Sequence, residues 1–232
     1  MAIRHGHAEV RDELKAAIRE TVKQEREHGQ VPWSAASLLE FDDAEAYDEF
    51  LKFLDGLNQT NYSPFDNRLW VNWDYFHLAG KLFEFHRAEY SRRVLEALQS
   101  DSLPVREAGQ RELEFRFGWN FGFDAREFRP VRREKFAKLR PIVERLTNMT
   151  QPEIRGYVLR ERGVKLDGPA GLAWLPALCE AVGNQDPVVY ENVLRLVEEF
   201  AGEVGCYEHI YRLNSNARHR ALTAYLADRA NK

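Results

Sequence analysis

The stretch "VLEALQSDSLPVREAGQRELEFRFG", residues 94–118, decides the architecture because the chain writes it again. "LCEAVGNQDPVVYENVLRLVEEFAG" at 178–202 aligns with it without a gap. Identical pairs are Glu96 with Glu180, Ala97 with Ala181, Val105 with Val189, Glu107 with Glu191, Arg111 with Arg195, Glu114 with Glu198, and Gly118 with Gly202. A looser third copy, "LRPIVERLTNMTQPEIRGYVLRERG", lies between them at 139–163. Each copy reads as a helix, a polar turn carrying a proline, and a second helix. Proline suits the first turn of a helix, where its missing N–H costs nothing. Helix pairs recurring at roughly 40 residues are the pattern of HEAT-type repeats. One pair cannot bury its apolar face alone, so neighbours stack. The expected fold class is all-α: a HEAT-like helical-repeat solenoid with additional N-terminal helices. It forms a single domain over 1–232, with N-terminal helices and loop at 1–66 and repeats at 67–232.

Outward from the repeats, helical periodicity continues. Residues 8–28 place Val10, Leu14, Ala17, Ile18 and Val22 on a narrow apolar stripe. A looser segment, "GQVPWSAASLLEF", precedes a short helix at about 44–57 that carries Tyr47, Phe50, Leu51 and Leu54 on one side. "NQTNYSPFDN" at 58–67 is turn chemistry. A helical region then runs from about Trp70 to Gln99, as one helix or two. No stretch alternates with period two for long enough to predict a sheet. "LEFRFGWNFGFD" at 113–124 reads as a loop after a helix.

The chain has 232 residues, 44% of them hydrophobic, enough for a core of its own. No apolar run approaches the roughly 18 residues of a membrane span, and the first residues lack the apolar centre of a signal peptide. Cys179 and Cys206 sit in apolar-patterned segments, as reduced buried thiols do. A cytoplasmic protein without membrane contact or cofactor is expected. The formal net charge of -4 speaks mildly against a generic nucleic-acid binder, but it is unevenly distributed. "EFDDAEAYDEFLKFLD" at 40–55 holds seven acids and one lysine, whereas "REFRPVRREKFAKLRPIVER" at 126–145 holds eight bases and three acids.

The chemistry-bearing stretch is "NRLWVNWDYFHLAG" at 67–80. On a helix, Trp70, Trp73 and His77 share one face. That face either packs between repeats or lines a cleft. Asp74 reads equally as a first-turn carboxylate meeting the helix dipole. Glu25 with His28, and Asp74 with His77, have the i, i+3 spacing of metal-ligating pairs, although further ligands are not identifiable. Arg212 to His219 fits a loose ribonuclease-like spacing. Neither a phosphate-cradling glycine loop nor a Ser/His/Asp or Cys/His nucleophile is present, and "HGH" lies at 5–7.

Over about 70–163 the chain resembles the HEAT-repeat alkylpurine DNA glycosylases. "NWDYFHLAG" is similar to that family's Trp-Asp-x-x-Asp element, with Trp73 and Asp74 in the leading pair. "SDSLPVREAG" resembles its arginine-bearing helix start, and "RGYVLRERG" its cleft-facing aromatic helix, with Tyr157 at the aromatic position. "YRLNSNARHRAL" near the C-terminus is similar to a basic helix start of the family. Three positions depart. His77 stands where the family has its catalytic carboxylate, strict alignment puts Glu107 rather than Arg106 at the arginine position, and Tyr157 replaces a tryptophan. The resemblance implies duplex-DNA binding on a concave basic face, with activity on alkylated bases reduced, altered or absent. It implies Asp74 and His77 at the catalytic place, Trp70, Trp73 and Tyr157 as cleft aromatics, and Arg106, Arg132, Arg133, Lys135, Lys138, Arg155 and Arg160 as phosphate contacts. No metal is implied. The alternative is a HEAT-type scaffold that binds another protein, which the acidic 40–55 segment favours.

Overall fold

The computed structural model describes residues 8–41, 43–63 and 68–201, which are mostly helical, with connecting loops and one short strand pair. The histidines at 5–7, Cys206 and the 212–219 spacing lie outside the described residues, as do the side chains of Trp70 and Cys179. The chain divides into two compact units. Unit one is the chain up to Glu112 plus Phe123–Thr147; unit two is Leu113–Gly122 plus the chain from Asn148 onward.

Unit one begins with α1 (Ala8–Glu27), a 3-10 segment (Trp33–Phe41) and α2 (Ala44–Asp55). The 3-10 segment reads as loose in sequence because its apolar residues follow no 3.6 period. In three dimensions it packs against α1, α2 and α3, and buries Ala35, Leu38, Leu39 and Phe41. Asp43 caps α2 by accepting from the Ala46 N–H at 2.8 Å, and Ala46, Phe50 and Leu54 face inward at a spacing of four. The acids of this region face α1. Lys15 lies 2.6 Å from Asp43, and Arg19 lies 2.9 Å from Glu45 and 2.8 Å from Glu49.

Where turns alone were expected, β1 (Thr60–Ser63) and β2 (Arg68–Val71) form an antiparallel pair, with Thr60 opposite Val71 and Asn61 opposite Trp70. Four-residue strands are too short to show alternation. Trp70 therefore lies on a strand and not on one helical face with Trp73 and His77. Two helices follow, α3 (Trp73–Phe85) and α4 (Arg87–Gln99). Their junction is closed by Arg93, whose side chain is 7% exposed. It donates to Glu89 at 2.7 Å and to the Tyr75 hydroxyl at 3.1 Å, and pairs with Asp55 at 2.7 Å. One guanidinium thus joins α2, α3 and α4.

The remaining helices are α5 (Leu103–Phe117), α6 (Arg129–Leu146), α7 (Gln151–Glu161), α8 (Leu175–Ala181) and α9 (Pro187–Ala201). All three sequence copies are thus a helix, a turn and a second helix: α4–α5, α6–α7 and α8–α9. Pro104, Pro152 and Pro187 occupy the first turns of α5, α7 and α9, and α7 carries a full capping box between Thr150 and Glu153. Within unit one, α6 packs on α4 through its buried Leu139, Val143 and Leu146 face, and Ser91 and Thr147 share a buried hydrogen bond of 2.7 Å.

Unit two is built on Trp174, which is buried with Leu159, Leu178, Val189, Val193 and Val197. Its ring lies on Gly156 of α7, where a Cβ would come within 2.3 Å. Asn192 of α9 is fully buried and donates to the carbonyls of Gly118 and Val188 at 2.9 and 2.8 Å. Gly118 has φ +75°, and a Cβ there would meet Asn192 at 2.1 Å.

Two outcomes follow for stability. Burial alone would raise the Glu89 and Asp43 carboxyls. The hydrogen bonds and charges of Arg92 and Arg93 on Glu89, and the Lys15 and Ala46 bonds and charges on Asp43, more than offset this and hold both below their ordinary values. Groups depressed in the folded state bind protons more readily when unfolded. Their stabilisation is complete above the ordinary carboxylate range of about 4 and fades as pH falls through the lower folded values. Urea denaturation from pH 7 to pH 2.5 should show it, and Arg93→Ala should cost about 1–3 kcal/mol at pH 7 by removing the buried bonds to Glu89, Tyr75 and Asp55 while Arg92 still pairs with Glu89. In unit two, Gly118→Ala should destabilise by about 1–3 kcal/mol through backbone strain, read by the same denaturation.

Candidate functional site

The start of α3 is held from three directions. Asn72 is buried, donates its backbone N–H to the Gln59 carbonyl at 2.9 Å and its Nδ2 to the Asn58 carbonyl at 2.7 Å. Its Oδ1 accepts from the Asp74 N–H at 3.1 Å, the N-cap bond of the helix. Beyond this anchor α3 divides by periodicity. Tyr75, Phe76, Leu78, Ala79, Leu82 and Phe83 go inward, while Trp73, His77 and Lys81, at successive spacings of four, are exposed.

That outer stripe does not stand alone. Trp33, at the start of the 3-10 segment, places its ring 6.0 Å from His77, and Trp73 lies 6.4 Å from the same imidazole. The two tryptophans, 45% and 37% exposed, thus flank His77 on the surface of unit one. The Arg111 guanidinium of α5 stands 5.2 Å from the Trp73 ring centre, a cation on an electron-rich face. Asp74 is half-buried at the N-terminus of α3, and its carboxylate has no hydrogen-bond or ion-pair partner among the described residues.

Neither Trp33 nor Arg111 stood out in sequence as a site residue. Trp33 is remote along the chain, but the repeat carried a signal for Arg111. In the later copy, Arg195 pairs with Glu191 one turn back at 3.2 Å. In the earlier copy the equivalent Glu107 is taken by Arg126 at 2.6 Å, and Arg111 turns to Trp73 instead.

A second feature of unit one opens at the start of α6. A cavity of about 150 Å³ is lined by Leu98, Phe123 and Phe136 and by Arg129, Arg132 and Arg133, with Gln99 and Asp101. Helix starts favour acids and a side-chain cap, each worth about 0.3–2 kcal/mol. This one has Phe128 at the cap position without a capping bond, no acid in its first turn and Pro130 near its start. Arg132 donates to the Glu127 carbonyl at 2.6 Å. Arg129 reaches Asp101 at 3.8 Å, while Arg133 has no partner among the described residues.

The other basic candidates have partners within the protein, some buried and some on the surface. Arg106 is buried and donates to the carbonyls of Ala125, Ser100 and Asp101 at 3.1, 2.8 and 2.9 Å. Burial, and then the charge of Arg132, hold its guanidinium below its ordinary value. It fastens the loop after α5 to that helix, with Gln110 accepting from the Ala125 N–H at 2.8 Å. Lys135 pairs with Glu127, and Lys138 with Glu134. In unit two, Arg155 donates to Asn192 at 3.1 Å. Arg160 donates to the carbonyls of Leu166 and Gly168 while lying 5.0 Å from the Trp174 ring centre. Tyr157 is half-buried and belongs to unit two, whereas Trp73, Asp74 and His77 belong to unit one.

For the metal-like spacings, Glu25 accepts from Ser34 at 3.0 Å and His28 contacts the Gln24 carbonyl through Nδ1 at 2.7 Å. No group of three or more metal-ligating side chains occurs among the described residues. No helix is long and apolar enough to cross a membrane among them. No protein-family model, curated protein sequence or solved structure matches the chain.

The anchor at Asn72 predicts a measurable cost. Asn72→Ala removes the α3 cap and its bond to Asn58, and should destabilise by about 1–3 kcal/mol. Tryptophan emission should shift as Trp73 loses its fixed place. Asn72→Asp keeps the cap acceptor and should recover part of the loss, as equilibrium unfolding of the two variants will show.

Proposed function

We propose that this chain binds nucleic acid, stacking bases on the Trp33–Trp73 surface of unit one and contacting phosphates with the basic side chains of that unit. The observation that carries this reading is the pair of half-exposed tryptophans around His77, with an arginine that lacks a carboxylate partner beside them. Buried tryptophans would serve packing, but two rings left open to water with a guanidinium beside them suit flat π-faced ligands. Base stacking on such rings contributes about 1–3 kcal/mol per base and tolerates any sequence. Arg111, Lys81 and the α6 arginines supply the sequence-independent attraction to phosphate. The architecture proposed for it is a HEAT-like stack of the three helix pairs.

The resemblance to alkylpurine DNA glycosylases narrows the ligand to duplex DNA carrying an alkylated purine. Such a base is cationic and would be drawn to a tryptophan face. Arg111 already engages Trp73, which leaves Trp33 as the face without a cation among the described residues. Asp74 is the carboxylate nearest in sequence, and His77 takes the place of the family's acid. Recognition is therefore proposed ahead of excision. The alternative of a protein-binding scaffold drew on the acidic 40–55 segment. Asp43, Glu45, Glu49 and Asp55 of that segment are paired with Lys15, Arg19 and Arg93 inside unit one, which weakens its motive.

Fluorescence anisotropy with labelled single-stranded DNA, duplex DNA and duplex containing 7-methylguanine tests the reading. Affinity should fall with rising salt, and Trp33→Ala and Trp73→Ala should each weaken binding by about tenfold or more. The methylated duplex should bind more tightly than the plain one, and Asp74→Asn should erase that preference. No binding at low salt, or unchanged affinity in both tryptophan variants, would overturn the proposal.

A further inference from the structure

The cavity at the start of α6 has a chemistry distinct from the tryptophan surface. Its apolar lining is Leu98, Phe123 and Phe136, of which Leu98 and Phe123 are almost completely covered and Phe136 is half-buried. Its rim carries three guanidinium groups, Arg129, Arg132 and Arg133, against one carboxylate, Asp101. Asp101 does little to neutralise them. Of the three, its carboxylate pairs with Arg129, at 3.8 Å, and their side chains are 64% and 93% exposed, so water screens the pair. Arg132 is pinned by one nitrogen to the Glu127 carbonyl, which orients the fork while leaving its other donors without a partner among the described residues. Arg133 has none at all among them. The cavity of about 150 Å³ is roughly ten times what a single water requires.

We propose that this cavity binds a phosphate monoester carried on a flat apolar body, with the phosphate held by Arg129, Arg132 and Arg133 and the body resting on Phe136. Charge selects the anion. Three guanidinium groups less one carboxylate leave an excess of two positive charges, and a phosphate monoester carries about −1.5 to −2 near neutral pH. Arginine forks bind its oxygens in pairs, which a lysine rim would not do. The helix start adds to this, because α6 has backbone N–H groups without a capping side chain and no acid in its first turn. The half-buried Phe136 selects the body, since a fully hydrated inorganic anion gains nothing from an apolar ring.

The same chemistry is presented by a small phosphorylated metabolite and by the 5′-phosphate end of a nucleic acid. The proposal does not rest on the stacking function of Trp33 and Trp73, and a small-molecule probe separates the two. Isothermal titration calorimetry of the full chain with phenyl phosphate should give saturable one-site binding, with inorganic phosphate at least about tenfold weaker for want of the ring. Arg133→Gln and Arg129→Gln should each weaken phenyl phosphate by about tenfold, the worth of a charge-assisted contact. Arg140→Gln, which makes the same charge change farther along α6 and outside the cavity, should leave affinity within about twofold. Both arginines changed for the test are exposed, and thermal unfolding verifies that each variant is folded. A 5′-phosphorylated dinucleotide binding tighter than its 5′-hydroxyl form assigns the site to nucleic-acid ends; equal affinity assigns it to a free phosphate ester. Non-saturable binding of phenyl phosphate, equal affinity for inorganic phosphate, or equal weakening by Arg140→Gln would overturn the proposal.

Discussion

Unit one depends on a charge that has been taken out of water. Arg93 is buried, and a buried guanidinium without partners would cost several kcal/mol. Its position is therefore tolerable only when Glu89, Tyr75 and Asp55 are all in place. Those three residues come from α4, α3 and the end of α2, so satisfying one side chain fixes three helices. The Tyr75 hydroxyl also accepts from Gln59 at 3.3 Å, and the Gln59 carbonyl accepts from Asn72 at 2.9 Å. Constraint thus passes from a buried cation to the residue that caps α3, and from there to Trp73, Asp74 and His77. Burying an ion pair is weak grounds for added stability. Here its effect is geometric, since it gives the first turn of α3 one address.

The uneven charge along the chain has an internal explanation. The acids of α2 face the bases of α1, and Asp55 meets Arg93, so much of the acidic stretch is neutralised where it stands. The basic stretch is treated differently. Lys135, Lys138 and Arg140 find glutamates nearby, and Arg126 takes Glu107. At the two candidate surfaces of unit one, Arg132 and Arg133 at the α6 cavity and Arg111 and Lys81 near Trp73 have no carboxylate partner among the described residues, and Arg129 has only a screened one. A net charge of -4 is compatible with the proposed anion binding, because local groups and not the sum set the field at a site.

Helix positions were legible because they rest on short-range rules. The spacing of Phe50 and Leu54 and the prolines at 104, 152 and 187 each follow from a few adjacent residues, whereas the loop read at 113–124 begins only after Phe117, where α5 ends. The 3-10 segment was not legible as a core element, since its burial comes from being surrounded by α1, α2 and α3 and not from a period of its own. The hairpin escaped for a related reason: pairing between Asn61 and Trp70 is a property of two segments, neither long enough to alternate. Site residues suffered most. A sequence shows that Arg106 is cationic, but three carbonyl acceptors decide that it faces inward, and they come from two separate turns. Trp73 and His77 could be placed on one face, yet Trp33 and Arg111 reach them only through the packing of the 3-10 segment and α5.

The repeat makes this distinction concrete, because it holds two versions of one helix. In α9, Glu191 and Arg195 satisfy each other across a single turn, an exposed pair of small energetic consequence. In α5 the same two residue types are at the same places, but the loop after the helix returns Arg126 to Glu107. That contact depends on Arg106 and Gln110 holding Ala125 against α5. With its carboxylate occupied, Arg111 is left with the open face of Trp73 as its partner. Identity in the repeat therefore marks a shared scaffold, and the difference in use marks where the chain has something else to touch. The aromatic surface follows from a loop that competes successfully for one glutamate, and from a buried arginine that keeps the loop in reach.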